Sequence, residues 1–303
     1  MKFSHQKTKN LNIFRRGKGF SLVETSIVIL VIGILIAGIS RGIDLYSDFK
    51  IQTAQKLTIN SPVSRIEGLA LWLETTLEKS FQTKMVNNSE VSQWNNISPF
   101  DLNPKNAFNY STNKPIFLEN NINGLPAIKF SKDYGNCMSV ESGFDNNTEN
   151  VTIFVALVAK SVNFGGRIIE KWSNGTGPYP YVLRQNFFFA IYSGQDGGSR
   201  GANLKNGNSS GVVGVPYVVS ARRIKSVNLS IWLNGAKQND AQDNLGVSTI
   251  NSSHLYIGCQ GYDSGIGYGD FNVGEIIIYS RALSDVEILR VNQYLSQKWN
   301  IKF

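Results

Sequence analysis

The sequence predicts a mainly β protein in three parts: a long apolar N-terminal helix, a two-layer antiparallel β-sandwich, and a short C-terminal helix. Three observations predict it. An almost unbroken apolar run fills Ile27 to Ile39. Beyond Pro62 the chain changes to short segments rich in β-branched and aromatic residues, punctuated by Gly, Asn, Ser and Asp. Near the C-terminus Ser284-Asp-Val-Glu287 has the spacing of a capping box and opens an apolar stripe at helical intervals.

The first element is read as a membrane helix. Phe20 to Ile39 is long enough for one bilayer crossing at about 1.5 Å per residue, and its only charge is Glu24. Lys2, Lys7, Lys9, Arg15, Arg16 and Lys18 precede it without an acid, so the N-terminus stays cytoplasmic and the rest is exported. From Gly42 to Asn60 the helical pattern continues, with Ile43, Tyr46, Phe49, Ala54 and Leu57 giving an approximate apolar face. Phe20 to Leu57 would be about 57 Å long, so only its first half fits in lipid. Pro62 stops the helix, placing the boundary at Ser61 to Arg65.

Lys18-Gly-Phe-Ser-Leu-Val-Glu24 and the apolar run after it resemble the prepilin signal of type IV pilins and type II secretion pseudopilins, over roughly residues 17 to 59. The resemblance implies a leader, residues 1–19, removed by prepilin peptidase between Gly19 and Phe20, and methylation of the new N-terminus at Phe20. It also implies that Glu24 pairs with the terminal amine of a neighbouring subunit. Such a partner is needed physically, because a carboxylate deep in a membrane helix costs about 2.5 to 3.5 kcal/mol. The alternative is a plain signal anchor whose Glu24 snorkels to the headgroups. Many relatives carry a proline where this chain reads Ile39-Ser-Arg-Gly42, so any local melting would rest on Gly33, Gly38 and Gly42, which are weaker breakers. The implied location is a single pass through the inner membrane with residues 20–60 as transmembrane and assembly helix and a periplasmic head, then a filament or the cell surface.

Composition narrows the partners. The formal charge is +8, but removing the six leader cations from the 30 basic residues leaves 24 against 22 acids, a mature net of +2. A nucleic-acid binder would cluster its cations on one face, and none is expected here. Arg222-Arg223-Ile224-Lys225 reads as a solvated strand edge running into a turn. Cys137 and Cys259 are too few for a disulfide framework or a zinc site. In an oxidising compartment they fit one structural disulfide or two separate buried thiols.

Twelve strands are read in the region that follows: Leu69 to Leu73, Val91 to Ile97, Ala127 to Phe130, Cys137 to Val140, Val151 to Val158, Arg167 to Lys171, Tyr181 to Arg184, Phe187 to Tyr192, Tyr217 to Arg222, Asn228 to Leu233, Leu255 to Gly258 and Glu275 to Tyr279. Asn234-Gly235 is a type I′ hairpin signal. The closing helix buries Ile288, Val291, Leu295 and Trp299, with Trp299 read as core packing rather than a ligand platform.

Gly68-Leu-Ala-Leu-Trp-Leu-Glu74, Val91-Ser-Gln-Trp-Asn95, Asn123-Gly-Leu-Pro-Ala-Ile-Lys-Phe130, Ile231-Trp-Leu-Asn-Gly235, Leu255-Tyr-Ile-Gly258 and Gly274-Glu-Ile-Ile-Ile-Tyr-Ser-Arg-Ala-Leu-Ser284 occur in the order seen in LamG-like domains of the concanavalin A-like jelly roll. The resemblance covers residues 64 to 303, within a head of residues 61–303. It implies two antiparallel sheets, a concave face, and loops that in many relatives bind glycans or protein partners.

Catalysis is not expected. Glycosidases place two carboxylates across the scissile bond, yet no Glu-x-Asp-x-Glu occurs and Glu275 has no second acid two or four positions on. His254, on a loop before the Leu255 strand, has no nucleophile elbow nearby. No cofactor is required. For calcium, which takes six to eight oxygens, the loops offer Asp145, Asp240 with Asp243, and Asp263 with Asp270, without EF-hand spacing. Turns use the same residue types for their own backbone bonds. Tyr179, Tyr181, Tyr262 and Tyr268, in Gly/Asn-rich loops, are candidates for stacking on sugars. The combined expectation is a minor pilin or pilin-like subunit displaying a recognition head for a glycan or surface protein. A secretion pseudopilin contacting cargo is the alternative, and a tethered glycoside hydrolase the third reading.

Overall fold

The computed structural model describes residues 20–99, 103–145, 148–161, 165–172, 178–192, 199–202, 211–245, 248–261 and 267–303. The chain divides into two compact units, 1–48 and 49–303. Helix α1 (Leu22–Ile59) is continuous through Gly33, Gly38 and Gly42, with open space around each. From Phe20 to Ile39 its apolar side chains are exposed on every side, as in a lipid-facing segment. It is long and apolar enough to cross a membrane.

In the larger unit, sixteen strands stand among the described residues: β1 (Leu69–Glu74), β2 (Gln93–Trp94), β3 (Ala107–Asn109), β4 (Ile116–Ile122), β5 (Leu125–Phe130), β6 (Met138–Val140), β7 (Val151–Ala159), β8 (Arg167–Lys171), β9 (Tyr179–Arg184), β10 (Phe189–Tyr192), β11 (Ser199–Ala202), β12 (Pro216–Ile224), β13 (Asn228–Leu233), β14 (Ala236–Gln242), β15 (Leu255–Ile257) and β16 (Phe271–Tyr279). They form two antiparallel sheets. The first runs β14-β13-β12-β7-β16-β5-β4, with β1 added beside β16; the second runs β11-β10-β9-β8-β15-β6-β3-β2. Alternation along the strands sends Leu71, Leu73, Ile276 and Ile278 between the sheets, with Trp94, Phe130 and Phe271.

The other face of the first sheet is also buried. Trp72, Phe154, Ile277 and Tyr279 lie beneath helix α2 (Asp285–Trp299), whose Ile288, Val291, Leu295 and Trp299 join Ala54 of the last turns of α1 in a second apolar cluster. The cap is as the sequence expects: the Ser284 side chain accepts from the Glu287 amide, and the Glu287 carboxylate accepts from the Ser284 amide. Gly274 lies within β16 at a register shift against β7, and a Cβ there would lie 2.2 Å from the Trp299 ring. The missing side chain is the room into which Trp299 packs.

Several expectations are corrected. Val91 to Ile97 contributes only Gln93–Trp94 as strand. Phe187 sits at φ 55° in the turn before β10. Arg222 and Arg223 are buried on a central strand, not a solvated edge: Arg222 bonds the Leu283 carbonyl and Asp285 and lies 5.1 Å from the Trp232 ring, while Arg223 pairs with Asp243 at 2.8 Å. Strands β3, β4, β11 and β14 add to the twelve read from sequence.

Candidate functional site: a tyrosine-lined groove over the disulfide

Three loops that cross from one sheet to the other meet at one end of the sandwich. They follow β3, β5 and β15, and they enclose a groove of about 580 Å³. Its size is that of a small-molecule site. The structure joins Cys137 to Cys259 as a disulfide with Cα atoms 5.4 Å apart, and both cysteines are buried in the groove floor. Tyr110, Tyr134 and Tyr268 line it, the first two more than half exposed.

Local chemistry holds these loops. The Tyr110 amide donates to the Cys137 carbonyl at 2.8 Å, and the Cys137 amide donates to Ser111 Oγ at 2.8 Å. Asn113 Nδ2 donates to the Tyr134 carbonyl at 2.7 Å, while Asn136 Nδ2 donates to the carbonyls of Asn113 and Lys114. The Tyr110 ring meets Tyr256 edge-on at 5.1 Å, and burial with Tyr110 beside it pushes the Tyr256 hydroxyl up to about 12. Tyr268 lies on Gly135, whose φ of 62° and lack of a side chain admit the ring; a Cβ there would stand 3.1 Å from it. The walls are thus aromatic faces fixed by side-chain amides, which suits a ligand with both apolar C–H faces and hydroxyls.

Of the residues singled out from sequence, the structure brings Cys137, Cys259 and Tyr268 together in this groove. Tyr179 lies half-buried elsewhere, against Trp172 at 4.8 Å and Tyr192 at 4.9 Å. Tyr181 is no loop platform: it is buried on β9 with its hydroxyl 3.3 Å from Asp145. Asp145 is buried too, both oxygens taken by Lys171 at 2.7 and 2.8 Å. Asp243 is held by Arg223, Asp240 by Ser230 and Lys237, and the Asp270 carbonyl accepts from the Lys160 amide and Gln185 Nε2. Among the described residues no three His, Cys, Asp or Glu side chains are grouped to hold a metal ion. Gly19, Tyr262 and Asp263 lie outside the described residues. His254 is exposed and stacks near Tyr256, with ring centres 6.3 Å apart. Sequence reasoning missed Tyr110 and Tyr134, although each stands in a run of Asn, Ser, Lys, Asp and Gly of the kind that marks loops.

Glu275 does have an acidic neighbour, across the strands rather than along one: its register partner on β1 is Glu74. The pair faces α2, away from the groove, and is sealed. Lys298 Nζ lies 2.9 Å from each carboxylate. Glu275 also accepts from Trp72 Nε1 at 2.7 Å, Tyr294 Oη at 2.8 Å and Trp299 Nε1 at 2.9 Å. Glu74 accepts from the Thr76 amide and hydroxyl, the Leu77 amide and Ser80. Burial alone would raise the Glu74 carboxyl; Lys298 and the hydroxyl donors outweigh it and hold it below the usual range. With all three side chains fully buried, there is no space for a glycosidic bond between the acids.

The prokaryotic N-terminal methylation motif matches residues 14–40. No curated protein matches the chain. Among solved structures, a Trypanosoma rangeli sialidase in complex with sialic acid is 14% identical, with 77% of this chain and 33% of that one covered and a TM-score of 0.47. The binding domain of Paraclostridial Mosquitocidal Protein 1 is 12% identical over 75% of this chain and 52% of that one, TM-score 0.52. Domain 4 of AbnA, an extracellular arabinanase from Geobacillus stearothermophilus in complex with arabinotriose, is 8% identical over 74% of this chain and 98% of that one, TM-score 0.52. The chain spans only about a third of the sialidase, and the likenesses to the toxin's binding domain and to domain 4 of AbnA describe its fold alone. What stands together is a prepilin-type N-terminus, matched at residues 14–40, followed by a two-sheet antiparallel β-sandwich.

Proposed function

We propose that this chain is a minor pilin or pilin-like filament subunit whose head recognises a glycan through the tyrosine-lined groove. The observation that carries the first half is the methylation motif set on an apolar helix whose sole intramembrane charge is Glu24. In this reading prepilin peptidase cuts between Gly19 and Phe20, Phe20 is methylated, and Glu24 pairs with the amine of a neighbouring subunit's Phe20. The head, residues 61–303, is periplasmic and then displayed on the filament or cell surface.

The second half rests on the groove: solvent-exposed aromatic faces, anchored amides and, among the described residues, no strand-paired acids opening into it. The likeness in fold between the sandwich and a domain solved with arabinotriose, and between it and a toxin's binding domain, supports a head that binds. Binding of the detergent-purified full chain to an array of immobilised glycans tests this half. Retention on one glycan class, lost in Tyr110→Ala, is the expected outcome; turnover of a bound polysaccharide, abolished by one carboxylate substitution, would replace the reading with a hydrolase.

A further inference from the structure

A second cavity, of about 460 Å³, adjoins the groove beside the edge strand β4. The two share Thr112, Asn113 and Tyr134. Tyr134 is 64% exposed and belongs to both, so it forms the ridge over which one cavity continues into the next. The ridge is fixed from behind, because Asn113 Nδ2 donates to the Tyr134 carbonyl and Asn136 Nδ2 donates to the carbonyls of Asn113 and Lys114.

Among the described residues the combined lining is nearly balanced in charge. Lys114, Lys129 and Lys132 stand against Glu90 and Asp133, and Lys114 is already paired with Glu90 at 2.9 Å. A polyanion would call for a one-sided cluster of cations. The rest of that lining includes amides (Asn88, Asn113, Asn136, Gln260), tyrosines, hydroxyls, the disulfide and the half-buried Ile116 and Leu118.

Resting on the glycan reading above, we infer that the two cavities form one track and that its ligand is an extended, uncharged oligosaccharide chain read along its length, with Tyr134 as the central stacking platform. A terminal sugar would fill one cavity and leave the other unused. A chain crossing Tyr134 gains from both, and affinity grows with length until the track is full.

The test titrates the detergent-purified full chain with neutral gluco-, xylo-, arabino- and N-acetylglucosamine oligosaccharides from disaccharide to hexasaccharide, and with polygalacturonate as an anionic probe. In the ladder that binds, the hexasaccharide is expected to bind about tenfold more tightly than the disaccharide, and Tyr134→Ala to remove about that factor, as for one lost aromatic contact. Leu118→Arg, in the second cavity only, is expected to reduce the hexasaccharide to the disaccharide's affinity while leaving the disaccharide unchanged. Circular dichroism of both variants verifies the fold. Equal affinity at every length, or preference for polygalacturonate, would overturn the extended neutral chain and leave the glycan reading standing. Absence of binding to every ladder and to the glycan array would overturn the glycan reading itself.

Discussion

At the scale of single residues, Glu24 is held by its own helix end. Its carboxylate accepts from the Ser21 amide at 2.8 Å, and the Glu24 amide donates to Ser21 Oγ at 3.2 Å, the reciprocal bonds of a capping box. This arrangement eases the cost of the carboxylate before any neighbour is present. It is legible in the sequence as Ser21-x-x-Glu24. Glutamine can close the same box without the charge, so Glu24→Gln is expected to leave insertion and cleavage intact while the subunit disappears from sheared filaments. Unchanged filament content at equal cellular level contradicts the pairing role. A second residue-scale prediction concerns Lys298. Burial would lower its amine, but Glu275 and Glu74 outweigh that and raise it, so the Lys298 ammonium keeps its charge. Lys298→Met strands two buried carboxylates and should cost about 3 to 5 kcal/mol in a denaturant titration; a loss below about 1 kcal/mol would mean that the acids find other compensation. None of this cluster could be read from sequence, because the spacing from Glu74 to Glu275 becomes a contact only through the pairing of β1 with β16.

Among the elements, those with strong local signals were readable. Strands Arg167–Lys171 and Asn228–Leu233 stand where alternation places them, and Asn234 and Gly235 take the positive φ values, 48° and 79°, of the expected turn. Strand β14, which that turn creates, has no signal in the sequence because its Ala-Lys-Gln-Asn-Asp-Ala-Gln is almost wholly exposed at a sheet edge and carries no apolar period. Strand β4 had a usable signal in Asn123-Gly124, at φ 52° and 89°, the same hairpin chemistry turning into β5. Helix α2 carries the element-scale prediction. The Arg281 guanidinium beside Glu287, with the Ser284 donors, holds that carboxyl at about 2, below its ordinary 4.5. A depressed folded-state pKa means stability fully present above about 4.5 and lost as pH falls toward about 2. The Tm of the protein should therefore drop across that window, and Glu287→Gln should be less stable at neutral pH and less steep in acid. A parallel loss in both proteins would place the acid sensitivity elsewhere.

For the whole molecule, the sequence alone carried the division of labour between an apolar N-terminal helix and a β head, because membrane length, leader charge and strand alternation are local properties. The groove was not legible as a site. It is assembled by loops after β3, β5 and β15, more than a hundred residues apart at the disulfide, where the separation of Cys137 and Cys259 is 122. Closing so long a loop restricts the unfolded chain strongly, so removing the bridge should be costly. Cys137→Ser with Cys259→Ser is expected to lower the Tm and to weaken glycan retention, since the groove floor loses its tie; retention unchanged with a lowered Tm would confine the bridge to stability.

The claim on which the account depends is that the chain is processed as a prepilin, and N-terminal mass spectrometry of the protein recovered from membranes tests it most directly. The mature chain is predicted to begin at N-methylated Phe20, with Glu24 retained on the exported helix. A chain beginning at Met1, or one cut after Ser40 so that the apolar helix is lost, would contradict it.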